Sequence, residues 1–506
     1  MVFTEDLNNY SRYCTKVGET RFDFMDSTRV CDSDEILTYA KKLVLRDVVI
    51  RDAVQMHEDR LLVQPHSGNI RVNRFTHGLC SHFTIPDSHY TTGVPNADLV
   101  LYVAAGPIKP GILAWAISCQ VDASGRPLVG VVNVSPRGIS NVFSCTRIMA
   151  HELLHALGFH GFTFETRGMV ANVSVRGKPK ASVITSSRVV QAARAHYGCS
   201  TMTHMELEDT GGSVSVGSHW KMRNAKDELM SPVIYAGFYT AMTIAAMEDT
   251  GYYKGNYSNA ESMAWGKNAG CVLFNEKCVI NGVSQVPEMF CVTETRTKSE
   301  YKCTSNRLDV GYCDLSDNMT HLSSIFQYFT NPTMGGTQGW TDYCPFVRGF
   351  WDAGCNDVSS KVLPGSVLSE SARCFSALPS ATLEISGGEN MAAVCAHVLC
   401  EEATATYRVR VKGASDFVNC PRGGILVPSK YSAEFSSGAI ECPPYDEVCT
   451  GNPSSAVGLL ATEAVSAAGT PSSSETRCMA VFGTTGGAHH LTLMVAAALA
   501  GMVFLA

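Results

Sequence analysis

Two histidines four residues apart with a glutamate directly after the first, His151-Glu152-Leu153-Leu154-His155, are the residues of this chain best placed to do chemistry. On a helix, positions four apart share a face, so both imidazoles can reach one metal ion while Glu152 stands beside it as a general base. This is the H-E-x-x-H pattern of zinc hydrolases. In a chain of this composition it arises by chance with odds of roughly one in fifty, so the pattern needs support from its flanks.

A catalytic zinc takes three protein ligands and leaves one position open for water. The compact spacing H-E-x-x-H-x-x-G-x-x-H would place the third histidine at position 161, which is Gly161. His160 is one place off and, after a glycine turn, projects in another direction; it reads as an exposed or neighbouring histidine. His196, His204 and His219 remain as distant candidates. His219 has the best surroundings, Gly217-Ser218-His219-Trp220-Lys221-Met222, followed by Asp227-Glu228-Leu229-Met230-Ser231-Pro232. Met230 stands in a tight turn ended by proline, the setting of a methionine turn beneath a zinc site. A lone methionine is more often core packing, and either role is structural support.

Positioning these groups requires a sheet and a helix. Three apolar runs, Leu99 to Ala105, Ile112 to Ile117 and Leu128 to Val134, are bounded by Gly, Pro or Asp as strands are. The helix that follows is expected to be capped by Ser140 and ended by Gly158, which puts His151 and His155 on its last two turns, facing a cleft against the sheet. One of the strands, Ile112 to Ile117, is expected to pair with an extended substrate peptide. Upstream, Asp32 and Glu35 stand at capping-box spacing and predict a long amphipathic helix from Asp32 to about Leu62. Downstream, Tyr235 to Asp249 predicts a helix stopped at Gly251.

At 506 residues the chain should divide into two to four domains. Its net charge of −7 is modest and unclustered, and there is no electrostatic footprint for nucleic acid. Twenty cysteines without paired C-x-x-C units point to disulfides and to a compartment outside the cytosol. Five N-x-S/T sequons, at Asn9, Asn133, Asn172, Asn256 and Asn318, fit that compartment. The first residues, Met1-Val2-Phe3-Thr4-Glu5-Asp6, carry no secretory signal, so the reading frame is expected to continue upstream of Met1. From about Cys278 to Cys449, cysteines recur every ten to twenty residues, as in a loop-rich, cross-linked region. A Gly451 to Thr476 stretch rich in Ala, Ser, Gly and Pro reads as a flexible stalk. A small-residue site, a spacer and the apolar run Leu491 to Ala506 then follow the order of a GPI-attachment signal, with a tail-anchor helix as the alternative.

Taken together, HELLHALGF, the long insertion, GSHWKMRNAKDELMSP, and the later Ala264-Trp265-Gly266-Lys267-Asn268-Ala269-Gly270-Cys271 resemble the leishmanolysin family, surface metalloproteases of trypanosomatid parasites. The similarity runs from Thr4-Glu5-Asp6-Leu7 to Cys442-Pro443-Pro444-Tyr445. It implies an α+β fold with a metzincin-like catalytic domain at 1–160 that holds the active-site helix. A central domain inserted at 161–276 and a disulfide-rich domain at 277–450 would follow, then a stalk at 451–490 and a hydrophobic tail at 491–506. It further implies one catalytic Zn2+ held by His151, His155 and His219, with Glu152 as the base that assists attack by zinc-bound water and Met230 in the methionine turn. Protein and peptide substrates, host surface or matrix proteins among them, attachment to the cell surface through a lipid anchor, or secretion, and a role in cell adhesion are also implied. A catalytically weak or inactive adhesin on the same scaffold is the alternative. Family members are made with a signal peptide and a pro-segment whose cysteine blocks the zinc, and neither is found in these residues. Eighteen cysteines match the family pattern, with Cys145 and Cys478 as extras.

Overall fold

The computed structural model describes residues 1–449 other than 140, 213 and 214. The expected stalk and hydrophobic tail, and Cys478, lie outside the described residues. A four-stranded sheet supports the chemistry. It comprises β1 (Val2–Phe3), β2 (Val100–Ala104), β3 (Ala114–Val121) and β4 (Pro127–Val134), in the order β1-β2-β4-β3. β1 and β4 run parallel to β2, whereas β3 runs antiparallel to β4 and forms an edge. Every residue of β2 and β4 is buried, because each strand has a core on both faces. Their continuous apolar runs are the signature of that position. On one face Val132 and Val134 join the main core, and on the other Val129 and Val131 join a smaller cluster with Phe24, Phe83 and Trp115.

The predicted helix from Asp32 begins seven residues later, with Thr38 as its cap. Asp32 instead accepts from the N–H groups of Asp34 and Glu35, which closes a local turn. Glu35 turns inward, buried against Ser135 and paired with Arg137, so it does not close a capping box. The helix proper is α1 (Tyr39–Val44), which passes through a π-helical turn at Leu45–Val49 into α2 (Ile50–Glu58).

Next comes α3 (Val142–Leu157), which packs across β3 and β4 and against α2. Gly130 of β4 lets it approach: a Cβ there would lie 3.0 Å from the Ala156 Cβ. Asn141 is its N-cap, accepting from the Ser144 N–H; Ser140, the expected cap, lies outside the described residues. Beyond α3, β5 (Val170–Val175) and β6 (Lys178–Ile184) form a hairpin, and α4 (Ser187–Tyr197) and β7 (Met205–Glu206) follow. The helix expected from Tyr235 starts only at Ala241, as α5 (Ala241–Asp249). Its cap is Thr240, and the residues before it pair with the turn ahead of them, Phe238 exchanging backbone hydrogen bonds with Asp227 and Leu229.

One main hydrophobic core runs from Leu7 to Phe346 in sequence, and a second gathers residues between Phe375 and Val448. The second lies on a sheet of β8 (Ala372–Ser376), β9 (Ala393–Glu401), β10 (Thr406–Arg410) and β11 (Val418–Asn419), more regular than its cysteine spacing suggested. Nine disulfides join eighteen cysteines, and Cys145 is a buried thiol whose Sγ meets the Gly138 carbonyl. Of the sequons, Asn133 is corrected. Its side chain is fully buried in β4, accepts the Gly106 N–H and is closed to a glycan in the folded protein. Asn9, Asn172 and Asn318 are exposed. Among the described residues no helix is long and apolar enough to cross a membrane.

Candidate active site

Two pins fix α3 one turn ahead of His151. Arg147 makes a bidentate pair with Glu261, which also accepts the Tyr239 N–H. His57 of α2 donates from Nε2 to the Ala150 carbonyl at 3.0 Å, while its Nδ1 accepts from the Tyr239 hydroxyl. At the far end Gly158 adopts a left-handed conformation, φ +110°, which stops the helix and returns the chain toward it. The Phe159 N–H then bonds the Leu154 carbonyl, and the Phe159 carbonyl receives Nδ1 of His155 at 2.8 Å.

The structure brings His219 to the pair on α3. Residues 206–208 lie antiparallel to 219–221, with the Glu208 N–H on the His219 carbonyl at 2.8 Å and the Trp220 N–H on the Met230 carbonyl. Nδ1 of His219 points to the Ser215 carbonyl at 3.1 Å, and Nδ1 of His151 to the Leu229 carbonyl at 2.6 Å.

These contacts settle the tautomers. A carbonyl only accepts, so each Nδ1 carries the proton and each neutral ring turns an Nε2 lone pair inward. The three Nε2 atoms lie 3.1, 3.2 and 3.2 Å from one another. Lone pairs crowded so closely repel unless a cation stands among them. Tetrahedral zinc with its usual Zn–N bond would separate such nitrogens by about 3.3 Å, so the donor set fits that metal. Among the described residues these histidines are the group able to hold one. Burial, with mutual repulsion next, pushes the three imidazoles below their ordinary range, His151 to about 3.

Glu152 is buried beside them. One carboxylate oxygen has no hydrogen-bond partner within the protein, and the Ala116 N–H of β3 donates to the group. Burial outweighs that bond and raises its pKa to about 8; a dication held by the neighbouring imidazoles would draw it back toward the ionised form that accepts a proton. A buried oxygen left open in this way, beside three converging nitrogens, is placed to receive a proton from a water in the site.

Met230 is fully buried, and its carbonyl accepts the N–H of Trp220, the residue after His219. Next to it, Glu228 accepts from the N–H groups of Met230 and Thr240 and from the hydroxyls of Thr240 and Thr243. These bonds hold the turn whose Leu229 carbonyl orients His151. The other candidate histidines lie outside the trio, although His160 stays close enough for its charge to bear on His155 and His219. His160 is exposed and caps the short helix Gly161–Thr166, His196 donates to the Trp265 carbonyl, and His204 bonds Thr203. Sequence reasoning missed Glu228, His57 and the Arg147–Glu261 pair. An acid two residues before Met230 was a visible signal for the first, while the others show only in three dimensions.

The sequence matches the leishmanolysin peptidase family over residues 1–455. It is 42% identical to leishmanolysin of Leishmania major over 462 residues, which cover 89% of this chain and 76% of that protein. It is 40% identical to the leishmanolysin homolog of Crithidia fasciculata, covering 89% and 70%. A leishmanolysin-like peptidase of Drosophila melanogaster is 27% identical, over 61% of this chain and 60% of its own. With matches of this extent, the chain belongs to the leishmanolysin family of zinc metalloendopeptidases.

Proposed function

We propose that this chain cleaves protein and peptide substrates with His151, His155 and His219 as the zinc ligands, Glu152 as the general base and Met230 as the floor of the site. The observation that carries this reading is the convergence of three Nε2 lone pairs beside a buried glutamate oxygen that no protein group satisfies. Bound zinc supplies Lewis-acid polarisation of a water and of the scissile carbonyl. Glu152 takes the proton of the attacking water and passes it to the leaving amine, and the Ala116 N–H keeps the carboxylate aimed inward. Ala116 lies on β3, whose outer edge carries no partner strand among the described residues. An extended substrate added there would run past Glu152, with backbone bonds that favour broad sequence tolerance.

In this reading the chain divides at 1–160, 161–276 and 277–450, and it acts at the cell surface, held by a lipid anchor of GPI type or secreted. Nine disulfides support an oxidising compartment. Adhesion to host surface or matrix proteins would accompany cleavage. Release from membranes by a phosphatidylinositol-specific phospholipase tests the anchor. The catalytic assignment is tested by Glu152→Gln, which should retain zinc and lose casein cleavage by a factor on the order of a thousand or more. Full activity in that variant would remove Glu152 from the mechanism, whereas an unmodified chain without chelator-sensitive casein cleavage would favour an adhesin on the same scaffold.

A further inference from the structure

The segment carrying His219 rests on a layer of buried charge. Lys221, two residues on and fully buried, has its ammonium 2.8 Å from Glu208, 2.6 Å from Asp209 and 2.9 Å from Asp342. Lys178 lies 2.6 Å from Asp209 and 2.7 Å from the same Asp342 oxygen. Arg176 pairs with Glu206 at 2.6 Å and reaches Asp342 at 3.6 Å. Arg223 joins through Asn224, which accepts from it and donates to Glu206. Four acids thus face four bases, and the cluster is neutral only when complete. Charges withdrawn from water are tolerable only when they are matched.

This cluster grips both chain segments that fix the backbone of His219. The Glu208 N–H holds the His219 carbonyl, its carboxylate takes the Met222 N–H, and the Lys221 N–H goes to the Glu206 carbonyl. Seven of the eight charged residues lie between Arg176 and Arg223. The eighth, Asp342, comes from the disulfide-rich region, two residues before Cys344, which is bonded to Cys278. Its carbonyl accepts the Tyr328 hydroxyl, so the carboxylate arrives on a braced turn. Without it, Lys178 and Lys221 would lose the oxygen they share and carry one unmatched positive charge. Lys221 would be left to Glu208 and Asp209, and a shift of its ammonium toward them would pull on the chain that bears His219.

We propose that Asp342 is a positioning residue for His219: by neutralising Lys178 and Lys221 it fixes the third imidazole against His151 and His155, so that the disulfide-rich region completes the metal site. The proposal rests on the reading of His219 as a zinc ligand.

The test uses the full chain loaded with zinc, and a cobalt-substituted sample for its visible spectrum. Asp342→Asn should speed zinc loss to a chelator roughly tenfold or more, well below the unfolding transition, and shift the cobalt spectrum. Adding Lys178→Met to it restores neutrality and should recover most of the loss. If Asp342→Asn alone does not fold, the double variant is compared with Lys178→Met, where removing the acid should slow zinc loss. Zinc loss unchanged in Asp342→Asn, or a double variant worse than either single one, overturns the proposal. Retention of zinc by His219→Ala would overturn the ligand reading instead.

Discussion

His160 stands five residues after His155 and His219 sixty-four, yet the more distant one meets the pair on α3. What separates them is where the backbone turns: Gly158 sends His160 outward to cap a short helix, whereas the pairing of 206–208 with 219–221 carries His219 in. His219→Ala should therefore purify with zinc near background, while His160→Ala keeps about one ion per chain; metal analysis of the two proteins decides. At this scale the sequence was most legible where side-chain type carries the chemistry. HELLH could be read directly, and among three distant histidines His219 stood out by its surroundings. The groups that aim the rings could not, because the carbonyls of Phe159, Ser215 and Leu229 and the N–H of Ala116 belong to every residue type and acquire a role only through position.

Among the elements, α3 was readable because its apolar stripe and its glycine stop are local properties. The start of α1 was not, since Glu35 gains more from Ser135 and Arg137, a hundred residues away, than from closing a capping box. The same dependence on distant partners makes α3 sensitive to acid. His57 on α2 is buried and neutral, and burial pushes its pKa from 6.5 down to about 3. The folded value is the lower one, so the unfolded chain binds the proton first. Stability from this group is complete above pH 6.5 and is lost as pH falls toward 3, at up to about 1.4 kcal/mol per unit. His57→Gln can still donate to the Ala150 carbonyl and accept from Tyr239 but does not titrate. Urea midpoints for both proteins at about pH 7 and about pH 4 should show a shallower acid loss in the variant. Equal losses would mean that other groups carry the effect.

Across the whole molecule, cysteine density announced cross-linking but not pairing, which depends on approach in space: Cys303 meets Cys374, and Cys355 meets Cys395, over long separations. The sheet of β8 to β11 was hidden for a similar reason, its strands, two to nine residues long, being recognisable only once paired. Zinc held by the three converging rings would bind the folded arrangement and not the unfolded chain, in which His151, His155 and His219 are apart. Chelation should lower the melting temperature and zinc should restore it, the difference approaching about 2.7 kcal/mol when free zinc is a hundredfold above its Kd; an unchanged melting curve would place the ion elsewhere. The bond between Cys199 and Cys271 encloses both His219 and Met230 in one covalent ring. A proteolytic cut anywhere inside that ring would leave the pieces tied together. Such a nicked molecule would run as one species without reductant and as two with it, and could go on working after damage that would otherwise shed a ligand.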